Sequence, residues 1–198
     1  MIRAAYNRLR SLKRAASSRF FRLKSLVQNY LEGGQLLWPM TVRTDVPVRI
    51  DGSGSVVLGE GVQLGYSKAP RIGSGEILLQ ARGRASTILI GPGTATSNNV
   101  SIISTESIEI GRECRIGDMT LIMDCDFHEV NPLTRNDSSG QSAPVVLADR
   151  VWIGSRAIVL KGVTIGENSV IAAGSVVTRS IPANSLAAGV PARVIREL

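Results

Sequence analysis

The sequence predicts an all-β protein built as a parallel β-helix, and two observations carry the prediction. Between residues 147 and 177 a branched apolar residue recurs at every sixth position, and Gly154 and Gly166 follow such residues where a Cβ would be costly. A helix repeats its apolar face every 3.6 residues and a half-buried strand every two, so neither accounts for this period. A period of six is typical of β-helices, in which each hexad forms one short strand and its corner. The recurring residues are Leu147, Ile153, Val159, Ile165, Ile171 and Val177.

The hexad pattern extends toward the N-terminus with decreasing regularity. It is regular from Ile90 onward and slips by two residues at Ile110, after which it continues to Ile122. We interpret residues 35–90 as the first, distorted coils of the same β-helix. The hexads in this region begin at Leu58, Leu64 and Ile72, and surface loops are expected near Ser67–Arg71 and Ala81–Ser86.

The first 31 residues form a separate, basic segment. They hold eight Lys or Arg and no acidic residue, which leaves 15 basic and 16 acidic residues in the rest of the chain. Apolar residues recur there at steps of four and three, as on one face of an α-helix, and Gly33-Gly34 ends the pattern. The sequence therefore predicts a helical arm over residues 1–34 and a β-helix domain over residues 35–198. The apolar stripe is Ile2, Tyr6, Leu9, Ala16, Phe20, Leu23, Val27 and Tyr30, and the basic face is Arg3, Arg8, Arg10, Arg14, Arg19, Arg22 and Lys24.

Three interpretations of the arm stay open. Its stripe packs on the β-helix or on sister subunits, or the helix lies on an anionic membrane surface, or the segment is an Arg-rich transit peptide. No stretch approaches the ~20 apolar residues that a membrane span requires. Two cysteines without a CxxC pattern favour a reducing cytoplasm. The near-neutral body lacks the basic face of a nucleic-acid-binding fold, so no nucleic-acid partner is expected.

His128 is the only histidine of the chain, and it lies where the hexad pattern breaks. Residues 124–146 have the Asn, Pro, Ser and Gly content of a loop and form an excursion from the coil. Imidazole, with an unperturbed pKa of ~6.5, suits a general base near neutral pH. In an extended segment, Asp124, Asp126 and His128 would lie on one side. Asp126 is then predicted to accept from one ring nitrogen and to leave the other as base, although both aspartates are equally typical of loop turns.

Three stretches carry a resemblance to a known family: VWIGSRAIVLKGVTIG, AAGVPARVIRE and Asp126-Phe127-His128. From about residue 89 to the C-terminus the chain resembles the left-handed parallel β-helix hexapeptide-repeat acyltransferases. The branch that it resembles includes the maltose, galactoside and xenobiotic O-acetyltransferases and the sugar O-acetyltransferases of surface polysaccharide synthesis. The resemblance implies left-handed coils, homotrimers with active sites between subunits, and acetyl-CoA as acyl donor. It also implies direct acetyl transfer to a sugar or glycan hydroxyl, with His128 as base.

The resemblance further implies which residues bind the donor and the acceptor. Small residues at corners leave room for a pantetheine arm, arginines supply charge for phosphates, and the Ser155 N–H is a candidate to stabilise an oxyanion. Aligned through His128, the acceptor contacts fall on Asn98 and Glu106; aligned through the Ile110 frame, they fall on Ser97 and Thr105. The acetyl-CoA contacts fall on Ser155, Ala173, Thr178, Arg179, Arg193 and Arg196.

Other functions stay open at this stage. The same base would serve N-acetyl transfer to an amino sugar or a nucleotide sugar, and a coil without catalysis would be a scaffold. Carbonic anhydrases of the γ type share the coil, but one histidine supplies too few zinc ligands, so no metal is expected. Ping-pong transfer through Cys125 is a further alternative, whereas Cys114 occupies an inward position and is predicted to be core.

Overall fold

The computed structural model describes the backbone of residues 2–138 and 140–198, and the side chains of residue 16 and of residues 18–138 and 140–198. One helix, α1, spans Ile2–Leu31. The strands that follow are β1 (Gln35–Leu37), β2 (Arg43–Thr44), β3 (Val48–Asp51), β4 (Ser55–Leu58), β5 (Gln63–Leu64), β6 (Ile77–Ala81), β7 (Thr87–Ile90), β8 (Ala95–Thr96), β9 (Ser101–Ser104), β10 (Ser107–Ile110), β11 (Arg115–Ile116), β12 (Leu121–Met123), β13 (Val145–Leu147), β14 (Trp152–Ile153), β15 (Ile158–Val159), β16 (Thr164–Ile165), β17 (Val170–Ile171), β18 (Val176–Val177), β19 (Ser185–Gly189) and β20 (Ala192–Glu197).

Every third strand joins the same sheet, so the chain winds into a three-sided coil. One sheet has the order β1-β4-β7-β10-β13-β16, a second contains β3-β6-β9-β12-β15-β18, and the third runs β2-β5-β8-β11-β14-β17-β19-β20. All pairs are parallel except β19 with β20, which closes the C-terminal end. The predicted parallel β-helix is confirmed. Below, the three sheets are called face A (with β1), face B (with β2) and face C (with β3).

The six-residue period marks the interior of the coil, as predicted. Side chains at the six apolar positions between Leu147 and Val177 are at most 1% exposed. A second set of inward positions lies four residues after the first and is buried as well: Val151, Ala157, Val163, Ser169 and Ser175. The serine hydroxyls bond backbone groups, and Ser169 Oγ donates to the Pro182 carbonyl at 2.7 Å. The two-residue slip of frame is also confirmed, since both Ile108 and Ile110 point inward from β10.

The corner glycines are required by the neighbouring coil. Neither Gly154 nor Gly166 has a left-handed backbone. A Cβ on Gly154 would lie 2.5 Å from the Ala173 nitrogen of the next coil, and one on Gly166 would overlap the backbone of Ala183. The predicted cost of a side chain is therefore steric, because adjacent coils approach each other closely at these corners.

The distorted first coils follow the prediction with one correction. Leu58 and Leu64 are buried ends of β4 and β5. Ile72 does not begin a hexad; it is 60% exposed, because the chain leaves the coil between β5 and β6. The predicted loops near residues 67–71 and 81–86 lie between strands, the first within this departure and the second between β6 and β7.

Helix α1 ends at the predicted glycine pair. Gly33 has a left-handed backbone with φ of 75°, and its N–H donates to the Tyr30 carbonyl. The Gly34 N–H donates to the Asn29 carbonyl at 3.0 Å. These two bonds satisfy the last carbonyls of the helix in a Schellman motif, which favours glycine at the left-handed position.

The second half of α1 docks on the first coil through polar side chains. Ser25 is fully buried, and its Oγ donates to the Val48 carbonyl at 2.7 Å. The Thr44 N–H donates to Ser18 Oγ, and Arg22 donates to the Trp38 carbonyl. Exposed carbonyl and N–H groups at the end of a coil need such partners, so α1 caps the β-helix.

The apolar stripe of α1 faces away from its own coil. The stripe residues Phe20, Leu23 and Val27 are 64%, 63% and 51% exposed, and Tyr30 is exposed as well. The interpretation in which this stripe packs on the β-helix of the same chain is therefore wrong for the described part. The side chains of residues 2–15, which include the rest of the predicted stripe and Arg3, Arg8, Arg10 and Arg14, lie outside the described residues. Over the residues described, no helix is long and apolar enough to cross a membrane.

Candidate active site

The predicted excursion leaves the coil between β12 and β13. Its neck is a short antiparallel pairing, in which the Asp126 N–H donates to the Gln141 carbonyl at 3.1 Å and the Ala143 N–H donates to the Asp124 carbonyl at 2.9 Å. The prediction of residues 124–146 is correct to within two residues, because β13 already begins at Val145. The loop is therefore a closed unit held at its base.

Asp124 is a buried anchor of this neck. Its carboxylate is fully buried and accepts from the N–H groups of Thr105 and Glu106 at 2.8 and 2.9 Å. It also accepts from the hydroxyls of Ser104 and Thr105. These partners are the last residue of β9 and the two residues of the turn before β10, so Asp124 holds the excursion to the preceding coil.

Asp126 points to the opposite side of the neck and pairs with Lys161. Both side chains are about one-third exposed or less. The pair borders a cavity of about 260 Å³ at the corner between faces C and A. The cavity is lined by Met123, Cys125, Asp126, Leu160, Lys161 and Thr178.

His128 is exposed, and its ring is oriented by a backbone carbonyl. Nδ1 lies 3.3 Å from the Arg135 carbonyl oxygen, within the same loop. A carbonyl can only accept, so this contact requires the proton on Nδ1 and leaves the Nε2 lone pair free. The carboxylate of Asp126, predicted to orient the ring, is bonded to Lys161 instead.

The two cysteines differ in what surrounds them. Cys114 is fully buried in the core, as predicted, and burial raises the pKa of its thiol. Cys125 lines the cavity but is only 2% exposed, and its Sγ accepts from the Phe127 N–H at 3.2 Å. A nucleophile must be reachable by the acyl group, so this burial favours direct transfer over a Cys125 intermediate.

Three of the predicted acetyl-CoA residues lie along the corner between faces B and C. Ser155 and Ala173 occupy the same position in successive coils, where Gly154 contacts the Ala173 nitrogen. Ser155 Oγ donates to Asp118 at 2.5 Å. Within the described chain the Ser155 N–H has no hydrogen-bond acceptor. Arg193 continues this line on β20, where it pairs with Ala188 of β19.

The other predicted acetyl-CoA residues are placed differently. Thr178 and Arg179 follow β18 at the corner between faces C and A, where Thr178 lines the cavity beside Leu160. Arg196 pairs with Leu186 near the outer end of β20, and its side chain is exposed. The structure therefore brings Asp126 and Thr178 together but separates them from Ser155, Ala173 and Arg193 by the width of face C.

Asn98, the predicted acceptor contact, is fully buried. Its Oδ1 accepts from the Tyr66 N–H at 2.9 Å, and its Nδ2 donates to the carbonyls of Tyr66, Ala69 and Pro70. Every polar atom of the side chain is thus bonded to the loop of residues 65–76. In this structure Asn98 anchors that loop and presents no polar atom to a ligand.

Two site features were missed by sequence reasoning. The carbonyl of Arg135 carries no sequence signal, because backbone groups are the same in every residue. Lys161 could have been found: a coil of three hexads is 18 residues long, and β12 stacks on β15, so Lys161 falls beside the point where the excursion leaves. Among the described residues, no group of three or more His, Cys, Asp or Glu side chains is arranged to hold a metal ion.

Comparisons with known proteins agree with this architecture. The family model described as bacterial transferase hexapeptide (six repeats) matches residues 144–179. The chain is 41% identical over 113 residues to the galactoside O-acetyltransferase of Escherichia coli K12, which covers 57% of this chain and 55% of that enzyme. The chain thus spans about half the length of that relative.

Two further comparisons cover more of the chain. WbbJ of Escherichia coli K12, an inferred O-acetyl transferase of lipopolysaccharide biosynthesis, is 33% identical over 159 residues, 76% of each chain. A hexapeptide-repeat-containing acetyltransferase of Vibrio cholerae O1 biovar eltor, solved with acetyl coenzyme A, matches with a TM-score of 0.53 and 28% identity over 75% of this chain and 69% of that one.

The chain belongs to the hexapeptide-repeat acetyltransferase family. The 33% identity to WbbJ over three-quarters of both chains shows this membership. The six-residue period of the coil is the same feature that the hexapeptide family model describes. The predicted resemblance is therefore confirmed. The relatives named above are acetyltransferases, and acetyl-CoA is the molecule bound in one of them.

Proposed function

We propose that this protein transfers the acetyl group of acetyl-CoA to a hydroxyl of a sugar or glycan, in the synthesis of a surface polysaccharide or lipopolysaccharide. The placement of His128 carries the proposal. The sole histidine of the chain stands on the excursion loop, with Nδ1 bonded to a carbonyl and Nε2 free to act as base. The O-acetyltransferase names of two relatives support this chemistry.

Direct transfer requires a base, because a neutral hydroxyl is a weak nucleophile toward a thioester. Nε2 of His128 takes the hydroxyl proton while the oxygen bonds to the acetyl carbonyl carbon. The carbon–sulfur bond then breaks, and the imidazolium returns the proton to the departing thiolate. The N–H of Ser155 is the donor that we assign to the developing oxyanion. Because Ser155 and the excursion lie on opposite sides of face C, this N–H and His128 would come from neighbouring subunits of a trimer.

The acetyl-CoA contacts proposed for this chain are Ser155, Ala173, Thr178, Arg179, Arg193 and Arg196. Ser155, Ala173 and Arg193 follow one corner, where Ser155 is half-buried and Ala173 and Arg193 are exposed. The arginines are exposed and carry charge suited to phosphate groups. Asp126 and Lys161 have a supporting part, because their ion pair fixes the loop that bears His128 to β15 and its corner.

The test of the proposal is acetyl-CoA consumption by the purified protein with a panel of acceptors. We expect turnover with sugars or glycans that present a free hydroxyl, and release of one thiol per acetyl group transferred. Amino sugars and nucleotide sugars belong in the panel as competing acceptors. A preference for an amine would replace O-acetyl by N-acetyl transfer. Hydrolysis of acetyl-CoA at the same rate with and without every acceptor would refute the proposal.

A trimer with shared sites is part of the proposal. The proposed donor contacts other than Arg196 divide between two corners of the prism, on either side of face C. In a closed trimer, corners of neighbouring subunits can meet, so that contacts on both corners can bind one molecule. We expect a solution mass of about 63 kDa, three times the 21.1 kDa chain, from light scattering at micromolar concentration. A mass of one chain under those conditions would contradict shared sites.

We also propose that the arm of residues 1–31 makes peripheral contact with the cytoplasmic face of an anionic membrane. The apolar stripe of α1 is exposed while its polar face is used against the coil, which leaves Phe20, Leu23 and Val27 available. Arg19 and Lys24 are exposed on the same segment. Each basic residue near an anionic leaflet contributes about 1 kcal/mol, and apolar insertion adds to that.

Vesicle co-sedimentation tests the membrane contact. We expect the protein to bind vesicles that contain anionic lipid, to bind more weakly as salt is raised, and to lose most binding in a Leu23→Ser/Val27→Ser variant. Ile72→Ser is the matched control, because Ile72 is equally exposed on a loop of the body. If the stripe variant binds vesicles like the wild type, or if it dissociates the trimer instead, the stripe serves assembly and the membrane proposal is wrong.

A further inference from the structure

Phe127, the residue before His128, has a backbone conformation that bulky side chains rarely adopt. Its φ is 65°, in the left-handed region. The other non-glycine residues with positive φ are Asn99, Glu113, Met119, Arg150, Arg156, Asn168 and Asn184, and asparagine is the type among them that tolerates this region best. An aromatic residue there is an outlier that persists only when its surroundings hold it, and such outliers cluster at functional sites.

Two contacts hold Phe127 in place. Its N–H donates to Cys125 Sγ at 3.2 Å, which closes the backbone into a tight turn. The guanidinium carbon of Arg82 lies 4.2 Å from the centroid of its ring, a cation–π contact. The ring is therefore fixed from outside the loop, by a residue 45 positions earlier in the sequence.

Arg82 is itself fixed to the coil. Its backbone N–H donates to the Ser104 carbonyl at 2.9 Å, and its Nε donates to Gln80 Oε1 at 2.8 Å. Ser104 also donates to Asp124 at the neck. One rigid turn of the β-helix thus holds the excursion at its base and at Phe127.

His128 is the residue that these contacts orient. Its ring is hydrogen-bonded to the Arg135 carbonyl of the same loop, and its own carbonyl packs so tightly on Gly140 that a Cβ there would overlap it. We propose that Arg82 and Phe127 are positioning residues, which set the direction in which His128 projects by holding the left-handed backbone before it. This inference rests on the proposed role of His128 as base. Arg82 acts through the Phe127 ring and not on the reacting atoms.

The test uses Arg82→Ala, with Arg84→Ala as matched control, because Arg84 is exposed on the same loop and the cation–π contact with Phe127 is made by Arg82. In steady-state kinetics we expect Arg82→Ala to lower kcat by roughly 10- to 100-fold, the scale of a misplacement of about 1 Å, with the KM for acetyl-CoA unchanged. Arg84→Ala is expected to match the wild type.

Two variants of Phe127 separate the ring from the backbone. Phe127→Tyr keeps the aromatic ring and is expected to retain activity. Phe127→Gly tolerates the left-handed backbone but loses the ring, and it is expected to behave like Arg82→Ala.

A second measurement is independent of activity. Because His128 is the only histidine, its imidazole signals in a histidine-labelled NMR spectrum report on this one side chain. We expect Arg82→Ala to shift and broaden them, with unchanged melting of the trimer. If Arg82→Ala shifts the His128 signals but the wild-type protein transfers no acetyl group, the positioning by Arg82 stands and the proposed function is refuted. Unshifted signals and wild-type kinetics in Arg82→Ala would overturn the positioning.

Discussion

His128→Ala is expected to lower the turnover number for acetyl transfer by a factor on the order of 10²–10⁴, the range for loss of a general base. The KM for acetyl-CoA should change little, because His128 is not one of the proposed donor contacts and its imidazole is assigned to the acceptor hydroxyl. A variant that lowers turnover alone has lost an interaction made in the transition state. Stopped assays of thiol release, with acceptor and donor varied separately, measure both constants.

Cys125→Ser is the control for this prediction. Cys125 lies three residues from His128, and its Sγ accepts the Phe127 N–H, so it shares the surroundings of the base without the chemistry. Serine keeps an acceptor at this position, and we expect the variant to remain active. Wild-type turnover in His128→Ala would remove His128 from the mechanism. An inactive Cys125→Ser, together with an acetylated wild-type enzyme in mass spectrometry, would replace direct transfer by the ping-pong alternative.

The interior of the coil could be predicted because a single constraint governs it. Each hexad places two side chains inward, and the interior of a narrow prism accepts only branched apolar or small residues. The two-residue slip at Ile110 was predictable for the same reason, since a strand that continues for two residues places both Ile108 and Ile110 inward. Where the pattern failed, at Ile72, the chain had left the coil and the constraint no longer applied.

The partners within the excursion could not be predicted from spacing. The expectation that Asp124, Asp126 and His128 share one side assumed an extended segment. Phe127 breaks that assumption, because a left-handed residue reverses the direction of the chain. Before this turn Asp124 is buried and Asp126 already meets Lys161; after it, His128 meets a carbonyl of its own loop. The turn is fixed by contacts with Arg82, which is distant in sequence and leaves no local signal.

The face by which α1 docks on the coil could not be predicted from the sequence for a related reason. The sequence shows which face of the helix is apolar, but the first coil decides which face it binds. That coil ends in backbone groups, such as the Val48 carbonyl, that need hydrogen-bond partners, and Ser25 supplies one. An apolar face would have left these groups buried without partners, which costs more than leaving Leu23 or Val27 in water. The apolar stripe is outward as a consequence.

Asp124→Ala is expected to lower the free energy of unfolding by about 2–6 kcal/mol, the largest stability effect that we predict. The carboxylate accepts from two backbone N–H groups, those of Thr105 and Glu106, and from two hydroxyls. Alanine removes the acceptor of both N–H groups, which face the buried carboxylate, at about 1–3 kcal/mol each. The hydroxyls can turn to other acceptors and add little. The neck of the excursion should open first, since its tie to the preceding coil is lost.

The midpoint of thermal unfolding measures this effect, and we expect it to fall by roughly 10 °C in Asp124→Ala, because 1 kcal/mol corresponds to about 2–4 °C for a chain of this size. Asp124→Asn keeps one carbonyl oxygen for one of the two N–H groups, so its midpoint should lie between those of the wild type and Asp124→Ala. Glu167→Ala is the matched control: it removes another carboxylate, which is half-exposed and paired with Arg150 on the surface, and such pairs contribute about 0–1 kcal/mol. Equal midpoints for Asp124→Ala and Glu167→Ala would show that the carboxylate of Asp124 does not hold the excursion to the coil.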